Sequence, residues 1–158
     1  MVKINYKFLK KRGVMQLVKP NKNLAQNYFL MSVKFFQSAK LLFNNHFYES
    51  STGDFYYSIY NSILALLFFC GIKSENHNAS IKLILELFNN KELYDIAQKI
   101  KEERIDKQYY HETNATKGDL SEIAKLCQKF NLEVKTIVND LKAEDIEKIR
   151  EEFNKLCI

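Results

Sequence analysis

Pro20 is the only proline in 158 residues, and only four glycines accompany it. All-β sandwiches and barrels turn about every ten residues and draw on these two residue types to do so. A chain this poor in turn-formers has to run in long unbroken elements. Its hydrophobic content of 46% against 27% charged residues belongs to a globular chain rather than a disordered one. The length suits one domain with a real core. Together these constraints predict an all-α fold.

Helical spacing fills in the outline. After Pro20, the residues Leu24, Tyr28, Met31, Phe35, Ala39, Leu42 and Phe43 recur every three or four positions, which predicts a first long helix over about Asn23–Phe47. Ser51 with Asp54 three residues on reads as a capping box. It would open a second helix, apolar nearly all round and closed by Gly71 just past Cys70. That helix should be the central, most buried element. Asn76–Ser80 signals a third helix reaching Phe88, and a fourth begins near Lys91 with Leu93, Ile96, Ala97 and Ile100 inward. A fifth opens at a second candidate capping box, Asp119 with Glu122, and a charged sixth runs from Ala143 onward. Residues up to Pro20 read as an irregular or strand-like basic arm, because Val2, Ile4, Tyr6 and Phe8 alternate with polar neighbours. The expected organisation is a basic arm over 1–21, an antiparallel up-and-down bundle of four to five helices over 22–142, and an accessory C-terminal helix over 143–158.

The net charge of +5 is unevenly spread. Met1–Tyr48 holds nine Lys and Arg and no Asp or Glu, which leaves −4 for the remainder. Such a block either attracts a polyanion, nucleic acid or an anionic membrane surface, or serves as solvent cover. Three cysteines without a C-x-x-C pairing argue against a disulfide framework or zinc knuckle and suit a reducing compartment. The first residues lack the apolar core of a secretory signal. The longest apolar run, Ile63–Cys70, is well short of the ~20 residues a membrane span needs. A soluble, cytoplasmic protein with no membrane partner is expected.

Several chemistries find no motif. There is no Gly-rich phosphate loop, no Glu-x-x-His of a di-iron bundle and no His-Glu-x-x-His. Neither a cofactor nor a metal is expected. What remains is the fourth helix, whose inward stripe Leu93, Ala97, Ile100 continues into Arg104, Gln108 and His111. Seven residues apart on a helix, Arg104 and His111 point within about 20° of each other. Leaving them in a dry core would be costly, so this half of the stripe should face a wet cleft or a second subunit. An Arg and a His on one face are the minimum kit for metal-free phosphodiester cleavage, since His moves a proton and Arg holds the phosphate. Tyr109 and Tyr110 could stack on bases. The plainer alternative is a frayed helix end, with Arg104 paired to Glu103 or Asp106 and His111 favoured by the helix dipole. His77, between Asn76 and Asn78 at a helix start, reads as a cap or packing residue, with substrate binding as its alternative. Phe55, Tyr56, Tyr57 and Tyr60 read as core and dimer interface rather than as a base-stacking platform.

Over roughly residues 22–140 the order of features resembles the HEPN domain family (higher eukaryotes and prokaryotes nucleotide-binding). A first amphipathic helix leads to Tyr48-Glu49-Ser50-Ser51, then Phe55-Tyr56-Tyr57, then Ala65-Leu66-Leu67 ending at Gly71. His77 precedes the third helix, and Arg104 begins an element ending in Tyr109-Tyr110. The chain looks like the prokaryotic branch with a helix-two Tyr-Tyr and an Arg-then-Tyr element. The resemblance implies a HEPN-like bundle that forms a homodimer. In active members it implies a metal-independent endoribonuclease, often of toxin–antitoxin type, whose Arg and following His line the dimer cleft. Arg104 and His111 match that pair, with Ile105 and Thr113 standing where toxin members carry a polar residue and a Tyr. Gln108, Tyr109, Tyr110 and His77 are then the candidate substrate-binding residues. Non-catalytic relatives bind RNA or nucleotides or partner a small nucleotidyltransferase, and a purely structural dimerisation bundle is a third option. On the sequence, enzyme and binding module both stay open.

Overall fold

The computed structural model describes residues 3–109 and 116–158, and for 107–109 the backbone alone. The chain runs α1 (Tyr6–Lys11), β1 (Met15–Leu17), α2 (Lys22–Asn44), α3 (Tyr48–Phe69), β2 (Ile72–Ser74), α4 (His77–Phe88), α5 (Lys91–Tyr109), α6 (Lys117–Asp140) and α7 (Ala143–Leu156). It is an all-α bundle with a small two-stranded sheet on one end.

The helix that is apolar all round is the hub. Helices α2, α5 and α6 all lie along α3, and Phe55, Ile59, Ile63 and Leu66 on it are fully buried. Each such side chain contributes about 1.5–3 kcal/mol when withdrawn from water. The neighbours turn matching stripes inward: Leu93, Ala97 and Ile100 from α5, and Ile123, Cys127, Phe130 and Val134 from α6. Asn76 caps α4 by accepting the Ala79 amide at 2.9 Å, and Gly71, at φ 72°, ends the α3 segment as its position implies.

Two starts differ from the expected ones. Helix α3 begins at Tyr48 rather than after Ser51, and Ser51 lies inside its first turn. The Ser51 hydroxyl donates to the Ala39 carbonyl at 2.7 Å, and Asp54 accepts from Ser38. Both residues of the supposed capping box therefore tie α3 to α2. Helix α6 opens one turn early, at Thr116, whose hydroxyl accepts the Asp119 amide while Asp119 accepts the Thr116 amide. Asp119 is the distal half of the box, not its start.

The N-terminal segment is more ordered than the alternation implied. Asn5 accepts the Phe8 amide at 2.9 Å and opens α1, which turns Tyr6 inward while Phe8 stays exposed. Capping and the three-residue step from Tyr6 to Leu9 outweigh the period-two pattern here. The strand falls later: β1 pairs antiparallel with β2, with Met15 opposite Ser74 and Leu17 opposite Ile72. Arg150 of α7 closes this end of the molecule. Its Nη1 donates to the carbonyls of Val18 at 2.8 Å, Cys70 at 3.1 Å and Gly71 at 2.9 Å. A Cβ on Gly71 would collide with that guanidinium and with the Val18 carbonyl. Among the described residues, no helix is long and apolar enough to cross a membrane.

Candidate functional site

The α5 stripe is fully buried at Leu93, Ala97 and Ile100 and then meets water at Arg104, which is half-buried. The residue facing Arg104 across the helix pair is not apolar but aromatic. The guanidinium carbon lies 4.6 Å from the ring centre of Tyr56 and 5.6 Å from that of Tyr57, and Nη1 donates to the Tyr57 hydroxyl at 3.3 Å. Arg on an aromatic face gains about 0.5–2 kcal/mol, more as the pair is dried. Contact with the two rings and with the Tyr57 hydroxyl restricts where the guanidinium can sit, which favours presenting its fork to a phosphate.

Tyr56 links this Arg to the start of α4. Its ring is buried, and its hydroxyl lies 2.7 Å from His77 Nδ1. The imidazole stacks on Tyr60 with centroids 3.8 Å apart and an interplanar angle of 13°. His77 is therefore clamped between two tyrosines one turn apart on α3. One residue on, Asn78 accepts from Lys101 of α5. Three helices thus bring Arg104, Lys101 and His77 into one cluster, with Tyr56 as its floor and Tyr57, 38% exposed, at its edge.

Electrostatics in the cluster run one way. Burial first, then Arg104 and Lys101, push the His77 imidazole below its ordinary value, so at neutral pH it is uncharged. Burial and Arg104 likewise lower the Lys101 ammonium, against an opposing pull from Glu102. Burial raises the Tyr56 phenol, which Arg104 partly offsets, so Tyr56 stays protonated. An anion placed among them would favour the charged forms of Lys101 and His77 and offset the Arg104 charge. Among the described residues, no three His, Cys, Asp or Glu side chains converge in the way a metal requires.

Of the residues singled out in the sequence, the structure brings Arg104 and His77 together. The side chains of Gln108 and Tyr109 lie outside the described residues, as do Tyr110 and His111. Four participants were not foreseen as site residues. The sequence pattern places Tyr56, Tyr57 and Tyr60 in core and interface, and it does not mark Lys101 as a site residue. The legible signals were there: Lys101 precedes Arg104 by three residues, one helical neighbour away, and tyrosine hydroxyls on a buried helix must find polar partners.

The HEPN domain family model matches residues 25–137, a span that includes Tyr56, Tyr57, Tyr60, His77, Lys101 and Arg104. The basic N-terminal segment and α7 lie outside it. Among curated proteins no match is found. With most of its length covered by the family model, the chain belongs to the HEPN family.

Proposed function

We propose that the chain is a HEPN-type protein that binds RNA or a nucleotide, with the phosphate held by Arg104 and Lys101 and a base resting against Tyr57. The observation that carries this is the Arg104 guanidinium stacked on Tyr56 beside two further nitrogen bases, Lys101 and His77. An arginine seated over a ring, with the Lys101 ammonium beside it, recognises phosphate by charge and by its fork. In this reading the protein acts in the cytoplasm as a homodimer, with Gln108, Tyr109 and Tyr110 as further candidate substrate-binding residues from the sequence. Fluorescence anisotropy with a labelled single-stranded RNA and a labelled nucleotide tests it. Affinity should fall by about tenfold in Arg104→Ala and should weaken with salt. Binding indifferent to both salt and Arg104→Ala overturns the proposal.

A second reading, metal-independent RNA cleavage of toxin–antitoxin type, is favoured by the uncharged His77 in the same cluster as Arg104. A neutral imidazole can take the 2′-hydroxyl proton while arginine offsets charge on the phosphate. Incubation with RNA in EDTA should then yield 2′,3′-cyclic phosphate ends. Loss of cutting in His111→Ala places the proton transfer on His111, with Arg104 holding the phosphate; loss in His77→Ala alone moves it to His77. Intact RNA with wild-type protein leaves the binding module, alone or beside a nucleotidyltransferase.

A further inference from the structure

On a different face from the Arg104 cluster, α2 and α6 both lie on α3 but diverge from each other, leaving a groove of about 410 Å³ between them. Its walls are mainly apolar, with Phe29, Leu30, Val33 and Phe36 of α2 facing Leu132 and Val138 of α6, and Gln26, Gln128 and Asn139 also line it. Leu30 and Val33 are each 52% exposed and Leu132 is 61% exposed, a cluster too contiguous to be scattered surface apolar residues. The floor is polar but self-contained. Ser62 donates to Asn131 Oδ1 at 2.6 Å and lies 2.9 Å from the Ser32 hydroxyl, while the Asn131 amide donates to Ser58 at 2.9 Å. A floor with its hydrogen bonds already made asks nothing polar of an occupant, so the walls set the chemistry.

We infer that this groove docks an amphipathic helix of another protein, apolar on the buried face and rich in Asp and Glu along its flanks. The groove runs along helices, and Leu30, Val33 and Phe36 step by three, the spacing that reads i, i+4 and i+7 anchors of an incoming helix. Charge fixes the flanks. Among the described residues, Lys135 is the sole ionisable one in the groove lining, Lys125 sits within about 20° of Leu132 on the α6 surface at 100° per residue, and α2 carries Lys22, Lys34 and Lys40 with no acid at all. The same distribution argues against a second copy: two α2 helices face to face would oppose lysine with lysine across low-dielectric walls. It also argues against RNA, because a single lysine and the amide side chains in the lining give too little charge to hold a phosphate backbone.

Three labelled probes test this against the full chain by fluorescence anisotropy. One is a peptide of about 18 residues, five turns, with Leu at i, i+4 and i+7 and Glu flanks; the second has Lys flanks; the third is a single-stranded RNA. The Glu-flanked peptide should bind, weaken with salt, and lose about tenfold or more in Val33→Lys or Leu132→Lys. Lys135→Glu should shift preference toward the Lys-flanked peptide. Because these positions are half-exposed or more, the variants should melt with the wild type, which separates lost docking from lost folding. The proposal falls if the Glu-flanked peptide does not bind, if both peptides bind alike, or if Val33→Lys weakens the RNA instead. It falls equally if sedimentation shows a dimer that Leu132→Lys dissociates. The Arg104→Ala variant should leave peptide binding unchanged, so failure here and failure of the phosphate reading remain distinct.

Discussion

Arg104 shows how much a residue's role depends on what lies under it. As a charge on a helix it is worth little; laid on Tyr56 at 4.6 Å it becomes a positioned fork. Arg104→Lys keeps the charge and loses both the fork and the stacking, so it should recover only part of the affinity that Arg104→Ala removes, leaving RNA or nucleotide binding weaker by roughly 1 kcal/mol. Full recovery in the anisotropy titration would reduce the site to a point charge. His77 gives a second residue-scale test. Its pKa is lower in the folded chain than in the unfolded one, so near its ordinary value the unfolded chain holds more protons. Stability from this group is complete above about pH 6.5 and is lost as pH falls through that value. Thermal melts across this range should show the decline, and His77→Gln should flatten it; an unchanged slope assigns the decline to other groups. An anion seated beside His77 reverses the balance, so binding near pH 6 should be accompanied by proton uptake, read by calorimetry in two buffers of different ionisation enthalpy.

Elements were legible where their signals are local. The apolar run of α3, the Asn76 cap of α4 and the stop at Gly71 depend on neighbours within a few residues, and each stands where the spacing put it. Signals that also had a distant claimant failed. Ser51 and Asp54 have the spacing of a box, yet Ala39 and Ser38 on α2 take their side chains. Strand β2 is three residues long and exists only because Met15–Leu17 lies alongside it, a pairing no local pattern announces. The site split in the same way: Arg104 stood out as a break in an apolar stripe, whereas Tyr56 needed a partner from another helix to become more than core. The clamp at this end makes an element-scale prediction. Gly71→Ala adds a left-handed backbone cost of about 1–2 kcal/mol to overpacking of about 1–3 kcal/mol against Arg150 and Val18. Urea denaturation should record a loss of about 2–5 kcal/mol, the sum of those two terms. Arg150→Ala should lose less, because it leaves space where Gly71→Ala creates a collision.

At the scale of the molecule, the charge asymmetry is less an appendage than it reads in sequence. Lys7, Lys10 and Lys11 sit on α1, whose Tyr6 is buried in the common core together with Met15 of β1, and Lys10 donates to Asn154 of α7 at 3.1 Å. Removing residues 1–21 should therefore lower the melting temperature by several degrees as well as weaken salt-dependent RNA binding, since burying Met15 alone is worth about 2 kcal/mol. A truncated chain that melts with the full one would restore the picture of a detachable arm. The Arg150 clamp has a further consequence in time. It joins Val18 to a residue 132 positions later, the kind of long loop that is slow to close. During synthesis, α2 to α6 can assemble as the chain emerges, but the edge formed by β1 and the end of α3 stays open until α7 has cleared the ribosome. Until then the Val18 and Cys70 carbonyls must be served by water, and the Gly71 carbonyl keeps only the Val18 amide at 2.8 Å.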